Sequence, residues 1–237
     1  MWSVRILTLF PELFPGPLAS SITGRALKEA IWEIKAIDVR DYATDKHKTV
    51  DDCPYGGGGG MVARPDILGQ AIEENFISNQ NEIIYLSPRG ELFNQGLARE
   101  LTQRKGINII CGRFEGIDER VINEYRIREV SIGDFVLSSG DVAAYSLLDA
   151  CVRLLPGVLG NGGSLVQESF GLDHNYEMLL EYPHFTRPQN WRDRQVPEVL
   201  LSGNHQLVEN WRLEQAKQKT KEQRPDLWNR YLSRKEK

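Results

Sequence analysis

Three apolar segments, each followed by a loop that contains glycine, constrain the fold of this chain more than any other feature. They read EIIYLSPRG, INIICGRFEG and VSIGDFVLSSG, at Glu82–Gly90, Ile107–Gly116 and Val130–Gly140. In an open α/β sheet, ligands bind beyond the carboxyl ends of the strands, and a glycine lets the main chain approach a ligand closely. No glycine motif that binds phosphates follows these strands. The segments therefore predict a main-chain pocket for a nucleoside without a phosphate chain.

The alternation of strands and helices predicts an α/β fold on a mostly parallel sheet, with helices on its faces. After residue 156 the pattern changes, because residues 157–190 are rich in Gly, Asn and Pro and predict a flexible linker. A helix is predicted beyond it at Asn204–Gln223, and Pro225 bars its continuation. We therefore place the domain boundary near residue 160. The other predicted elements are strands at Trp2–Phe10 and Ile34–Arg40 and helices at Leu18–Trp32, Pro65–Ile77, Gln95–Lys105, Asp118–Tyr125 and Asp141–Leu155.

The net charge of −4 hides an asymmetry between the two ends of the chain. Residues 1–183 contain 17 Lys and Arg against 26 Asp and Glu, a charge of −9. Residues 184–237 contain 12 against 7, a charge of +5, and the two charges together give the net value. A basic C-terminal segment is typical of a nucleic-acid contact and equally of a solvated helical tail, so the charge leaves both possibilities open.

Cysteine usage and the N-terminal residues predict the compartment. Cys53, Cys111 and Cys151 are odd in number and form no C-x-x-C pair, which argues against disulfides and a zinc site and fits a reducing cytoplasm. The first residues, MWSVRILTLFPELFPG, lack the positive region of a signal peptide, and no apolar stretch approaches membrane-spanning length. We expect a cytoplasmic protein without a membrane contact.

Two loops carry candidate chemistry. The run Gly56–Gly60, bracketed by Tyr55 and Met61, is either a floppy surface loop or a lid that closes over a flat ligand. The loop after the second apolar segment contains several charged residues. Carboxylates are favourable in the first turn of a helix, but Glu115 lies before the predicted helix, in the loop and beside a glycine, so this effect does not explain it. The four histidines show no metal-ligand spacing and predict no metal site: His47, His174, His184 and His205.

Taken together, segments across nearly the whole chain resemble one family. They occur in the family's order and at its spacing, and they include RILTLFPELF, DVRDYATDKHKTVDDCPYGGGGGM, IICGRFEGIDERV, EVSIGDFVLSSGDVAA, YPHFTRP and VPEVLLSGNH. On these motifs the chain resembles the bacterial tRNA (guanine-37-N1)-methyltransferases of the knotted SPOUT class.

The resemblance implies a fold, a reaction and partners. It implies a deep trefoil knot in an S-adenosylmethionine-binding domain at residues 1–160, a flexible linker at 161–178 and a small helical tRNA-binding domain at 179–237. It implies methyl transfer from S-adenosylmethionine to N1 of the guanosine at position 37 of tRNA, with dependence on Mg2+. It also implies an obligate homodimer with an active site shared between subunits.

The resemblance assigns Arg153 and Glu168 to catalysis. Guanine N1 carries a proton at neutral pH, so we expect Glu168 to remove it and Arg153 to stabilise the charge that develops on O6. The family has aspartate at the position of Glu168 and glycine at the position of Ser139, so both positions depart from its pattern. The cofactor-binding positions carried over are Leu86, Ser87, Pro88, Gly112, Glu115, Ile132, Gly133, Asp134, Phe135, Val136, Leu137 and Gly140.

Two alternatives to this enzyme remain at the level of sequence. One is an RNA-binding homologue that has lost catalysis, for which the change to Glu168 is the only supporting feature. The other is a methyltransferase of the same fold that acts on ribose or on ribosomal RNA. The basic residues expected to contact the anticodon stem are Arg187, Arg192, Arg194, Arg212, Lys217 and Lys219.

Overall fold

A parallel sheet is the framework of residues 1–160. The computed structural model describes residues 1–160, 166–171 and 175–235. Its strands are β1 (Trp2–Thr8), β2 (Trp32–Asp38), β3 (Asp51–Asp52), β4 (Val62–Ala63), β5 (Glu82–Leu92), β6 (Gly106–Ile110), β7 (Arg128–Ser131), β8 (Asn190–Trp191) and β9 (Arg194–Gln195). Its helices are α1 (Ser21–Lys28), α2 (Pro65–Asn75), α3 (Gln95–Thr102), α4 (Glu119–Glu124), α5 (Gly140–Val152), α6 (His205–Gln223) and α7 (Pro225–Lys235).

The sheet of residues 1–160 has five strands in the order β2-β1-β6-β5-β7, and every neighbouring pair is parallel. The prediction of a mostly parallel α/β sheet is therefore confirmed. Strand β6 lies between β1 and β5, and the chain then crosses β5 to place β7 on its other side. Such a reversal of strand order opens a crevice beyond the carboxyl ends of the strands, where α/β proteins bind ligands.

Two apolar clusters cover the two faces of the sheet. Because side chains alternate along a strand, Ile84 and Leu86 of β5 belong to one cluster and Ile83 and Tyr85 to the other. Helices α1, α3 and α5 contribute to the first cluster, and α2 and α4 to the second. Residues 83–86 of β5 and 107–110 of β6 are buried on both faces of the sheet, which explains why these two strands read as apolar runs and not as alternating sequences.

Strand β5 contains the first glycine loop as an interruption. Leu86 and Glu91 both pair with Val130 of β7, so the residues between them bulge out of the ladder. A Cβ on Gly90 would lie 2.3 Å from the main-chain nitrogen of Val130, which explains why glycine stands there. The sequence predicted that the strand ends at this loop. In the structure the strand resumes beyond the loop, because the pairing with β7 continues on both sides of the bulge.

The first helix is shorter than predicted, and Trp32 supplies the reason. The predicted range Leu18–Trp32 includes the end of a 3-10 turn at Gly16–Ala19, all of α1 and the first residue of β2. Trp32 is fully buried, and its indole N–H donates to the carbonyl oxygen of Thr23 at 2.9 Å. The apolar spacing that predicted one helix therefore comes from the residues of two elements that share one core.

The described residues after 160 form a second unit with its own small core. Tyr176 and Leu179 pack with Ala216 of α6 and Tyr231 of α7. Part of the linker predicted at 161–178 lies outside the described residues, namely 161–165 and 172–174, and the linker stays a prediction. No helix within the described ranges is both long and apolar enough to cross a bilayer.

The helix predicted at Asn204–Gln223 is present with its expected ends. The side-chain oxygen of Asn204 accepts the amide of Leu207 at 3.2 Å and caps α6, which ends at Gln223. Pro225 was predicted only to bar the continuation of α6, which does end before it, at Gln223. Pro225 also begins α7, because a proline is well suited to the first position of a helix.

Candidate active site

A cavity of about 260 Å³ opens beyond the carboxyl ends of β5, β6 and β7. Its walls are the bulge of β5, the loop after β6, the loop after β7 and the start of α5. Every predicted cofactor position except Asp134 lines it. The sequence therefore predicted where the crevice lies and 11 of the 21 residues that line it, while their contact with a cofactor stays a prediction. The predicted positions in the wall are Leu86, Ser87, Pro88, Gly112, Glu115, Ile132, Gly133, Phe135, Val136, Leu137 and Gly140.

The second and third loops touch through their main chains at two glycines. The amide of Gly140 donates to the carbonyl oxygen of Gly112 at 2.9 Å. A Cβ on Gly140 would lie 2.9 Å from the nitrogen of Gly112 and 3.0 Å from the Cα of Cys111. Because main-chain atoms cannot move aside as a side chain can, α5 begins here only if its first residue is glycine. Ser139, where the family has glycine, is buried at the position just before this contact.

Tyr85 forms part of the cavity wall, although the sequence analysis did not select it. The ring leaves no room for a Cβ on Gly112, which would lie 2.5 Å from it. Burial raises the pKa of the Tyr85 hydroxyl, so the residue is a neutral surface. No local signal singles it out, because Tyr85 lies within the apolar run of β5 and its role comes from its contact with Gly112. The other wall residues absent from the prediction are Arg89, Arg113, Phe114, Gly116, Val130, Ser131, Ser138, Ser139 and Ala143.

A buried carboxylate holds Arg113 at the cavity. Asp141, in the first turn of α5, is 1% exposed. Its Oδ1 accepts a hydrogen bond from the Thr8 hydroxyl at 2.6 Å, and its Oδ2 accepts one from the Arg113 guanidinium at 3.2 Å. The guanidinium also lies 4.2 Å from the centre of the Phe10 ring. Burial, and then the neighbouring Asp141, raise the pKa of the Cys111 thiol well above its usual value. The group combines residues far apart in sequence, and no local motif indicates it.

The glycine run is anchored at one end on the second loop. The amide of Glu115 donates to the carbonyl oxygen of Met61 at 2.9 Å, and the amide of Ala63 donates to Gly116 at 3.0 Å. A Cβ on Gly60 would lie 2.3 Å from a carboxylate oxygen of Glu115, whereas one on Gly59 would meet nothing within 4 Å. One end of the run therefore packs against the cavity wall while its tip is open.

The two predicted catalytic residues lie on different elements. Arg153 follows the last residue of α5, and its amide donates to Asp149 at 3.2 Å. Glu168 lies in the second unit, in a tight turn: the amide of Gly171 donates to the Glu168 carbonyl oxygen at 2.8 Å. The Oγ of Ser169, next to it, accepts the amide of Glu181 at 2.9 Å.

Metal-ligating side chains do not cluster in the part of the chain that the structure describes. No group of three or more His, Cys, Asp or Glu residues there is arranged to hold a metal ion. His184 contacts Glu181 at 2.9 Å, and His174 lies outside the described residues. The described residues thus offer no clustered site for Mg2+.

Fold and cavity define an α/β protein with a candidate ligand cavity on three loops at a reversal of strand order. The chain belongs to the tRNA (Guanine-1)-methyltransferase TrmD family, whose model matches residues 2–230. It is similar to proteins named tRNA (guanine-N(1)-)-methyltransferase from Rhodospirillum rubrum, at 53% identity over 96% of this chain and 93% of that protein. The Ruegeria pomeroyi protein of that name is 50% identical over 100% of this chain and 96% of its own length. Family membership makes the chain a methyltransferase.

Replacing Asp141 by Ala should destabilise the first unit. The change leaves the buried Thr8 hydroxyl and the half-buried Arg113 guanidinium without their acceptor, at a cost of about 3 kcal/mol. Thermal unfolding monitored by circular dichroism measures the effect. Asp149→Ala, an exposed position on the same helix, is the control and should cost less than about 0.5 kcal/mol. Equal shifts for the two variants would contradict the role given to Asp141.

Replacing Gly60 by Ala should weaken binding of S-adenosylmethionine, the donor that the family implies. The new methyl group displaces the exposed Glu115 carboxylate, and the φ of 84° at Gly60 strains a residue with a side chain, so affinity should fall about 10-fold and stability by about 1 kcal/mol. Calorimetric titration measures the affinity. Gly59→Ala stiffens the same loop without meeting any atom and should bind normally. Loss of affinity in both variants would assign the effect to loop stiffness.

Proposed function

We propose that this protein transfers the methyl group of S-adenosylmethionine to N1 of the guanosine at position 37 of tRNA. Its relatives from Rhodospirillum rubrum and Wolbachia pipientis carry names that describe guanine-N1 methylation of tRNA. The observation that carries the proposal is the cavity at the strand reversal, which nearly all of the family's cofactor positions line. A ligand that needs main-chain contacts and no phosphate cradle fits this cavity.

The walls of the cavity suit the methyl donor. Apolar residues such as Leu86 and Ile132 would pack against its adenine ring, and the main chain around Gly112 would bond to the ring edge. Glu115 and Arg113 also line the cavity and would pair with the ammonium and the carboxylate of its methionine part. When bound, the donor supplies an activated methyl group. The work left to the chain is alignment and removal of one proton.

Glu168 is the base in this proposal. The N1 proton of guanine must leave before or during methyl transfer, and a carboxylate within hydrogen-bond reach can take it. The turn at Glu168 is tight, because a Cβ on Gly171 would lie 2.4 Å from the carbonyl oxygen of Val166. A fixed turn supports the role, because a base must be held in place. Glu168 is one methylene longer than the family's aspartate, so the turn would shift slightly to place the same oxygen.

Arg153 would stabilise the negative charge that develops on O6 of the guanine, and its location favours an active site shared between subunits. Gly140, at the start of α5, lines the cavity, whereas Arg153 follows the far end of this 13-residue helix. At 1.5 Å per residue the helix is about 20 Å long, more than an arginine side chain bridges. In this proposal Arg153 acts in the cavity of a second subunit, which requires the homodimer.

The same proposal covers the remaining features of the family. A deep trefoil knot in residues 1–160 is supported by the crossing of β5 and by the contact of the second and third loops. Residues 161–178 would be the linker, and residues 179–237 the tRNA-binding domain of a cytoplasmic enzyme. Dependence on Mg2+ stays a prediction, and no step is assigned to the ion.

Labelled methyl transfer to a tRNA transcript tests the function and the base together. The wild-type enzyme should methylate a transcript with G at position 37 and leave one with A there unmodified. Glu168→Ala should lower the single-turnover rate by at least about 100-fold without weakening binding of the methyl donor, because only proton removal is lost.

Glu168→Asp is the matched control and should retain most of the rate, since it keeps the carboxylate. Full activity of the alanine variant would place the base elsewhere in the molecule. Transfer to both transcripts would favour ribose methylation, and no transfer by the wild type would favour the inactive RNA-binding homologue.

A mixed dimer tests the shared active site. One subunit carries Arg153→Ala. The other carries Val136→Trp, which fills its own cavity from the loop after β7 and leaves α5 unchanged. The two are co-expressed with different tags and purified as the heterodimer. If Arg153 acts across the interface, the intact Arg153 of the second subunit reaches the intact cavity of the first. One of the two active sites then works, and the heterodimer should show about half of wild-type activity. Each homodimer of a single variant should be inactive. An inactive heterodimer would mean that Arg153 serves its own subunit.

A further inference from the structure

A short hairpin in the second unit carries an exposed tryptophan between two arginines. Strands β8 and β9 pair Trp191 with Arg194, and the amide of Val196 donates to Gln189 at 3.0 Å. We call residues 189–196 the Trp191 hairpin. Both residues of its turn, Arg192 and Asp193, have left-handed φ values of 52° and 59°.

That turn is unusual in its residues. A two-residue hairpin turn with two positive φ values is usually made by Asn or Gly, and a long side chain such as that of Arg192 pays a conformational cost there. The guanidinium of Arg192 lies over the ring of Trp191, 4.9 Å from the ring centre. The hairpin therefore presents the two side chains as one preformed surface.

Trp191 differs from the tryptophans of the helices in this unit. It is 54% exposed, whereas Trp228 stacks on Tyr231 in the core with ring centres 5.4 Å apart. Trp211 lies 6.2 Å from the ring of Phe185. Proteins that bind single-stranded nucleic acids present an exposed aromatic ring beside a cation. A base stacks on the flat face of the ring, and the cation attracts the anionic phosphate backbone.

The charges of the hairpin are available to a polyanion. Neither Arg192 nor Arg194 forms an ion pair with any residue that the structure describes, and the same holds for Arg187 nearby. Other cations of this unit are engaged: Arg212 contacts Glu209 at 3.6 Å and stacks on Tyr182, and Lys217 contacts Glu214 at 2.5 Å. Of the six basic residues predicted to contact tRNA, those around the hairpin are thus better placed than Arg212 and Lys217.

We infer that the Trp191 hairpin is a tRNA contact, in which Trp191 stacks on an unpaired base and Arg192 and Arg194 bind the phosphates beside it. This rests on the proposed function and names the surface of the second unit that meets the substrate. The hairpin of a second copy of the chain is a less suitable binding partner than tRNA, because two hairpins of like charge would repel each other.

Binding of a tRNA transcript to full-length variants tests the inference. Filter binding at several salt concentrations gives the affinity and its salt dependence, with S-adenosylmethionine affinity and thermal midpoint as readouts of an intact fold. Trp191→Ala should weaken tRNA binding about 10-fold, and Trp191→Phe should restore most of the affinity because it keeps an aromatic face. Arg192→Gln with Arg194→Gln should lower the slope of log affinity against log salt by about 1.5.

Arg224→Gln is the control, because Arg224 is paired with Asp226 at 2.7 Å and lies outside the hairpin. It should change tRNA affinity less than about twofold. The inference is overturned if Trp191→Ala binds tRNA as the wild type does, or if Arg224→Gln weakens binding as much as the hairpin variants do. It is also overturned if Trp191→Ala lowers the thermal midpoint and donor affinity along with tRNA binding.

The same experiment separates this inference from the proposed function. A wild type that methylates the transcript, beside a Trp191→Ala variant with unchanged affinity, would refute the hairpin contact alone. A wild type that neither binds nor methylates the transcript would refute the proposed function, and the hairpin contact with it.

Discussion

The contact between Gly140 and Gly112 is the constraint on which the candidate active site depends. One main-chain hydrogen bond joins the start of α5 to the end of β6, at a separation that admits no Cβ on Gly140. It brings the second and third loops together across the crossing of β5, which closes the cavity on one side. It also fixes both ends of α5, since a helix is rigid along its length. Asp141 is thereby buried beside Arg113, and Arg153 lies at the opposite end of α5 from Gly140.

Electrostatics divide the described residues into two kinds of surface. At the cavity of the first unit, the Asp141 carboxylate is buried and bound by Thr8 and Arg113, so it orients a cation there. In the second unit the hairpin arginines are left without ion pairs among the described residues. A desolvated pair gives geometric precision, whereas an unpaired surface cation gives attraction to a polyanion at a distance. The proposed methyl transfer needs both.

Sequence patterns identified the sheet and most of the cavity correctly for a simple reason. Parallel strands bring their carboxyl ends to one edge, so loops that follow them in sequence are neighbours in space, and Leu86, Gly112 and Gly140 line one cavity as predicted. The boundaries of α1 were wrong because Trp32, which seemed to continue its apolar face, packs from β2. Tyr85 and Asp141 were missed because their roles come from contacts with Gly112 and with Thr8, and local sequence carries no record of distant partners.

The sequence by itself determined the class of fold, the place of the crevice and the family to which the chain belongs. These follow from the periodicity of apolar residues, from glycine positions and from long ordered motifs, all of which are properties of neighbouring residues. Only the tertiary structure decided that Arg113 is held by a buried carboxylate, that the glycine run rests on Glu115 and that Trp191 stands exposed under Arg192. Such features depend on which atoms of remote segments meet, and packing of the whole chain is what sets those distances.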